Sequence, residues 1–319
     1  MVTCSNIGFG NQLGAQMTNL ADLYYIAREN NQKLVLFDEF KSFRRGYQFL
    51  DVFDLVDIEI IRRYKGKLWT SYCNQFKKSN SWESNFKRIY ADKLRSKLDA
   101  LYYKLTSAIW YSDFEHRYSY KDHVVCNPNL LELDENKNYD ICSGFGTYRE
   151  WGKYECEIKK LFSFKKDIVE EAGRIWNELN LSEKKTCSIH FRRTDYLLIS
   201  SLNLSDDYYT KAISCFDKDA TCFVVFSDDI EACKNMPMLQ GLDVVYMEQH
   251  KAAVDMCLMS KCDSNIIANS TFSFWGAFLG NGLNRKVVCP YNFIGESAPE
   301  STYINGNYYP ESWIALEEN

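Results

Sequence analysis

Two adjacent arginines at the end of an apolar run are the strongest chemical signal in this sequence. The run is His190-Phe191-Arg192-Arg193-Thr194-Asp195, and two guanidinium groups leaving a strand together are hard to account for by packing. Their planar forks match phosphate oxygens bidentately and keep their charge at any working pH. The chemistry they offer is a clamp on a diphosphate, with His190 and Asp195 near enough to orient it or to act on a proton. The plain alternative is a surface arginine paired with Asp195.

Three further clusters bear oxygen acceptors or hydroxyls. Ser227-Asp228-Asp229 ends the apolar run at 222–226. Adjacent aspartates on extended chain point opposite ways, so at most one faces a ligand, and a helix N-cap is the competing role. Asp255 is a lone carboxylate on an otherwise apolar helical stretch. Guanine presents two adjacent donors on its Watson–Crick edge, and a carboxylate accepts both; an ordinary exposed helix residue is the alternative. Asn269-Ser270-Thr271-Phe272-Ser273 joins a strand to a helix, where hydroxyls and free N–H groups form a natural phosphate seat, or a simple cap. Gly8-x-Gly10, followed by Asn11-Gln12, opens a helix after a first strand. With Asp38 closing the second strand, it also fits a dinucleotide fold, so an NAD(P)-dependent Rossmann oxidoreductase is the rival enzyme. Gly14 misses the G-x-G-x-x-G spacing by one, and that fold would leave the arginines idle.

The elements that must position these groups are legible from periodicity. Leu13, Met17, Leu20, Tyr24 and Ala27 mark one helical face, and the run at 33–38 is a buried strand. From about 185, strand-like runs at 186–192, 221–227, 243–247, 264–269 and 286–289 alternate with helical ones at 205–217, 229–235, 252–262 and 272–281. Such alternation implies a parallel, doubly wound sheet with its ligand crevice beyond the carboxyl ends of the strands. The expected class is α/β, with two Rossmann-like domains (1–160 and 161–319) facing one cleft. The stretch from about 41 to 130 has few strand-like runs and reads as a helical, basic insertion, with an amphipathic helix at about 86–105.

Charge supports that division. The 319 residues carry 38 Lys/Arg against 43 Asp/Glu, a net charge of −5. Residues 62–104 alone hold 12 basic and three acidic side chains, or +9, leaving −14 elsewhere. Bulk nucleic-acid binding is therefore unexpected. Twelve cysteines without a C-x-x-C pair, and four dispersed histidines, point to reduced core thiols and no metal site. No apolar run is long enough to cross a bilayer, and because Met1 to Asn6 read as leading straight into a strand, no signal peptide is expected.

Taken together, H-x-R-R-x-D, F-S-D-D, D-x-x-L-M-S and N-I-I-A-N-S-T-F-S-F-W-G-A resemble the bacterial α-1,2-fucosyltransferases, glycosyltransferase family 11. Gly8-Phe9-Gly10-Asn11-Gln12 is similar to that family's G-G-L-G-N-Q loop, with Ile7 in place of its first glycine, and Pro310-Glu311-Ser312-Trp313 to its ending. The resemblance covers residues 7–35 and about 140–315. It implies a GT-B-like fold and inverting transfer of L-fucose from GDP-β-L-fucose to the 2-hydroxyl of a β-galactoside, in O-antigen synthesis, without an obligatory metal or further cofactor. Arg192 would hold the β-phosphate, with Arg193 and His190 beside it. Asp255 would read guanine, Asn269, Ser270, Thr271 and Ser273 would surround the diphosphate with Ser227 and Asp228 at the same crevice, and Gly10, Asn11 and Gln12 would face the donor across the cleft. Asp195 is the expected base, with His190 the alternative. The expected setting is cytoplasmic and peripheral on the inner face of the plasma membrane, where the basic helix meets anionic lipid and the acceptor is carried on a lipid. A non-catalytic nucleotide- or glycan-binding protein is the third class.

Overall fold

The computed structural model describes residues 1–4, 7–37, 47–56, 58–61, 114–118, 132–142, 148–194, 196, 203–248, 250–282, 285–293 and 308–317. The chain begins with β1 (Val2–Thr3), a single helical turn α1 (Ile7–Gly10), the long α2 (Leu13–Glu29) and β2 (Val35–Phe37). Then come α3 (Phe49–Val52), β3 (Glu59–Ile61), β4 (Phe114–Tyr118) and β5 (Asn138–Cys142). Helices α4 (Tyr148–Trp151), α5 (Glu155–Leu161) and α6 (Lys166–Glu178) lead into β6 (Lys185–Phe191) and α7 (Asp206–Ser214). The remainder is β7 (Thr221–Ser227), α8 (Ile230–Cys233), β8 (Val244–Tyr246), α9 (Ala252–Lys261), β9 (Ser264–Ile266), α10 (Thr271–Phe278), β10 (Lys286–Pro290) and β11 (Ile314–Leu316).

Among the described residues every pair of strands is parallel, as the α/β expectation requires. The six-stranded sheet runs β11-β10-β9-β6-β7-β8. Counted from β6, that is the doubly wound order 3-2-1-4-5-6, whose switch point falls between β6 and β9. Residues in β6 and β7 are buried on both faces, which is why their sequences read as nearly continuous apolar runs. The first part of the chain forms β1-β5-β4 and β2-β3. A parallel bridge from Val2 to Leu34, with the Val2 N–H donating to the Lys33 carbonyl at 2.8 Å, joins the two pieces.

Two expectations change here. The Gly-rich turn after β1 is the helical turn α1, pulled inward by the fully buried Ile7. Among the described residues the only glycine at positive φ is Gly241, so Gly8 and Gly10 are not there for left-handed backbone. The stretch read as helical from 41 to 130 contributes two strands, Glu59–Ile61 and Phe114–Tyr118, to parallel pairs. The amphipathic stretch at 86–105 and Asp38 lie outside the described residues.

Helix α6 shows how the outer layer forms. Ile168, Ala172, Ile175 and Trp176 are buried at helical spacing, while Lys166–Glu170 and Arg174–Glu178 pair along the exposed side. Asn180, at φ 52°, ends it in the left-handed conformation that asparagine tolerates. Helices α2 and α10 are buried almost all round. Trp275 of α10 stacks on Trp151 at 5.5 Å, and its Nε1–H donates to Thr18 Oγ1 of α2 at 3.1 Å. Nine described cysteines are free thiols, and all but Cys156 and Cys215 are buried, as core thiols should be. Among the described residues no helix is long and apolar enough to cross a membrane.

Candidate functional site

The register of β6 and β7 builds the site's floor. Phe191 pairs with Ser227, so residues 192–194 and 228–229 leave the sheet side by side. Asp228 takes the centre. Its Oδ1 accepts the Arg193 N–H at 2.9 Å, and its Oδ2 accepts the Thr194 hydroxyl and lies 2.9 Å from Arg192 Nη1. Burial alone would raise this carboxyl. The bonds from Thr194 and the Arg193 amide, with the Arg192 charge, outweigh burial and hold it below its ordinary value. Arg193 Nε reaches Asp229 Oδ2 at 3.7 Å, and the Arg192 guanidinium lies over the Tyr196 ring at 5.3 Å. Each arginine therefore has a carboxylate that fixes its direction without consuming its donors.

Both arginines find these partners across the strand pair; Asp195, the plain alternative in the sequence, lies outside the described residues. Asp229 also caps α8 through the Ala232 N–H at 3.2 Å, and Ser227 Oγ accepts the Asp229 N–H at 3.0 Å. Ser227 and Asp228 thus serve the loop as acceptors, and Asp228 stays partly exposed at the crevice.

Across the switch point, β9 runs through buried Asn269 into α10. Ser270 stands at the N-cap position with no side-chain hydrogen bond to the helix, so the first amides of α10 are not capped by it. The Tyr196 hydroxyl donates to the Asn269 carbonyl at 3.4 Å, tying the arginine loop to this turn. Ser273, expected at the diphosphate, is fully buried, and its hydroxyl donates back to the Ala268 and Ser270 carbonyls. Third in the helix, it turns its side chain into the core.

The first sheet presents its own helix start to the same place. Gln12 is the N-cap residue of α2, exposed, with no side-chain cap bond, while Asn11 is half-buried and its carbonyl accepts from Gln16 Nε2 at 3.0 Å. Gly14 shows how closely the two helix starts meet. A β-carbon there would lie 2.6 Å from Phe272 N and Thr271 C. The bare glycine is what lets α2 dock on the backbone of α10, a role that nothing local in the sequence signals.

His190 is buried, its ring 5.6 Å from that of Phe272. Burial pushes its imidazole down to about 4, so it is neutral at pH 7. Asp255, in the first turn of α9, is raised by burial to about 7, with His250 Nδ1 3.4 Å from its Oδ1. His250, Thr194, Tyr196 and Gly14 are the residues that the motifs did not single out as site residues.

The model of glycosyl transferase family 11 matches residues 92–317, more than two thirds of the chain. The chain belongs to this family. It is 34% identical over 204 residues to the O-antigen biosynthesis glycosyltransferase WbnK of Escherichia coli, covering 59% of this chain and 64% of that one. An alpha-1,2-colitosyltransferase of Escherichia coli is 34% identical over 142 residues, 41% of this chain and 47% of that one. The human galactoside alpha-(1,2)-fucosyltransferase 1 is 30% identical over 180 residues, 50% of this chain and 47% of that one. The chain thus spans between 47% and 64% of the length of these curated relatives. In fold it is similar to a crystal structure of POFUT1 in complex with GDP-fucose, with TM-score 0.51 at 12% identity over 90% of this chain and 97% of that one. This family 11 membership bears out the resemblance and displaces the oxidoreductase alternative.

Proposed function

We propose that this family 11 chain transfers L-fucose from GDP-β-L-fucose to the 2-hydroxyl of a β-galactoside, with inversion, in O-antigen or related cell-surface polysaccharide synthesis. The observation that carries the reading is the Arg192–Arg193 pair, fixed by Asp228 and Asp229 at the switch point of the six-stranded sheet. In this reading residues 1–160 and 161–319 are two Rossmann-like domains facing a GT-B-like cleft, with the 41–130 stretch inserted in the first. The starts of α2 and α10 then look into that cleft from opposite sides.

Breaking the bond between fucose C1 and the phosphate oxygen leaves positive charge on the sugar and negative charge on departing GDP. Arg192, Arg193 and the first amides of α10 already point where the negative charge grows, so they bind the transition state more strongly than the ground state. Ser270 and Thr271 line the diphosphate, Asp255 meets the base, and Gly10, Asn11 and Gln12 close the donor from the other side. The acceptor oxygen attacks C1 from the face opposite the phosphate, and its proton passes to a base. That role goes to Asp195, because His190 is buried, only 4% exposed, and out of reach of an incoming acceptor. Peripheral contact of the 86–105 stretch with anionic lipid belongs to the same reading for a lipid-linked acceptor. Co-sedimentation with anionic vesicles at low salt tests it, and no binding removes it.

The relative that is an alpha-1,2-colitosyltransferase favours one second reading, in which the same linkage is made from GDP-colitose. Thermal melting separates the donor classes. GDP raises the melting temperature by mass action and NAD(P) leaves it unchanged, and Arg192→Ala abolishes both the GDP shift and transfer. Stabilisation by NAD(P) alone, or full transfer by Arg192→Ala, overturns the reading. GDP binding without turnover of either GDP-sugar assigns a binding protein instead.

A further inference from the structure

Asp255 is the one ionisable group in the first turn of α9, and its side chain is only 24% exposed. His250, two residues before the helix, is 22% exposed, with Nδ1 3.4 Å from Asp255 Oδ1. Neither of these two atoms meets solvent, and neither has a hydrogen-bond partner among the described residues. Two bare lone pairs facing each other in such a place repel, so a proton lies between them. A small turn of the imidazole that directs an Nδ1–H at Oδ1 would satisfy both groups and leave Asp255 a carboxylate. What exposure the side chain keeps lies away from Oδ1.

Charge around the pair is sparse. Helix α10, packed on α9, has no ionisable side chain. On α6, also packed on α9, Lys166, Asp167, Glu170, Arg174 and Glu178 are exposed and Glu171 is half-buried. Lys251 precedes the helix and is exposed, Lys261 at its far end lies over Trp176, and Glu248 pairs with Lys234. Burial is the cause of the raised Asp255 carboxyl, and no other charge contributes. A carboxyl left alone there would carry its proton much of the time at neutral pH.

We infer that His250 is a positioning residue for Asp255, holding Oδ1 so that the other oxygen stays an acceptor and the site selects guanine over adenine. The inference rests on the proposed reading of Asp255 as the base reader and deepens it. Guanine N1 carries a hydrogen and donates, whereas adenine N1 carries a lone pair and accepts. A carboxylate takes the guanine hydrogen and repels the adenine lone pair. A protonated carboxyl reverses both preferences. The proton on Asp255 therefore decides between the purines, and His250 governs that proton.

Calorimetric titration of the full chain with GDP and with ADP, from pH 6 to 9, tests this. Wild type prefers GDP at pH 7. His250→Ala lowers the GDP/ADP affinity ratio about tenfold at pH 7, and the ratio recovers toward pH 9. The midpoint of its GDP affinity against pH moves up by about one unit. His250→Asn, whose amide places a donor where Nδ1 stood, keeps the wild-type ratio and profile. His250→Phe fills the space without a donor and replaces the alanine variant should that one not fold, with melting curves as the check. A wild-type ratio and profile in the donorless variants overturns the inference, as does an Asn variant that behaves like them. Equal affinity of the wild type for GDP and ADP instead overturns the reading of Asp255 on which the inference rests.

Discussion

Substituting Gly14 by alanine tests whether the two helix starts are held at the spacing that the proposed site needs. The new β-carbon would lie 2.6 Å from Phe272 N and Thr271 C and 2.7 Å from Thr271 Oγ1. Ordinary contact begins at 3.4 Å, so α2 and α10 must part by about 0.8 Å (3.4 − 2.6). Two of the three obstacles are backbone atoms and cannot rotate away. Overpacking of this kind costs about 1–3 kcal/mol, a fall in melting temperature on the order of 2–10 °C for a chain of this size. The same displacement moves Asn11 and Gln12 away from Ser270 and Thr271, and a shift near 1 Å in positioning groups costs up to about 10²-fold in rate. We expect kcat/KM for fucosyl transfer to fall on the order of tenfold to a hundredfold, in proportion to the separation. Gly173→Ala is the matched control, because a β-carbon there meets nothing within 4 Å on helix α6. It should gain about 0.4–1 kcal/mol and leave the rate alone. Wild-type melting together with wild-type kcat/KM in Gly14→Ala would mean that the glycine does not set this spacing.

Asp228→Ala removes the acceptor shared by Arg192, the Arg193 amide and Thr194; steady-state kinetics should show kcat/KM down about 30-fold, or ~2 kcal/mol. Thr18→Val leaves the buried Trp275 Nε1–H without its acceptor and should cost about 1–3 kcal/mol by urea denaturation. His190 gives a pH signature: its folded value of about 4 lies below the ordinary 6.5, so the unfolded chain binds the extra proton between these values. Its stability is fully present above about 6.5 and is lost as pH falls toward about 4, amounting to about 3 kcal/mol across that window. His190→Phe should flatten that part of the stability profile, and an unchanged slope would reject the buried neutral imidazole.

The second half of the chain was legible almost to the residue because β6 and β7 are buried on both faces, and such burial demands a nearly continuous apolar run. The first half was legible only at its start, where the helical face from Leu13 to Ala27 and the run at 33–38 foretold Leu13–Glu29 and Val35–Phe37. Its strands are two to five residues long, and Phe114–Tyr118 and Asn138–Cys142 mix charged and polar residues with apolar ones, so no run or alternation marks these two. Edge strand Ile314–Leu316 is partly exposed and equally silent. The arginine clamp was visible as a residue type at a strand end, but its partners across the strand pair were not. Asp228 lies 34 to 36 positions away in sequence and is brought alongside by the parallel register of Phe191 with Ser227, which no local pattern encodes. Ser273 and Thr271 look alike on paper; only the helix's rotation turns one hydroxyl into the core. Gly14 likewise carries no sign of the helix it must accommodate.

Transfer to the galactose 2-hydroxyl is tested most directly by the linkage of the product formed from GDP-fucose and a β-galactoside in the presence of EDTA, determined by NMR. Fucose joined α to that hydroxyl is the expected product. Fucose at another hydroxyl, no product, or product only once metal is restored would contradict the proposed transfer.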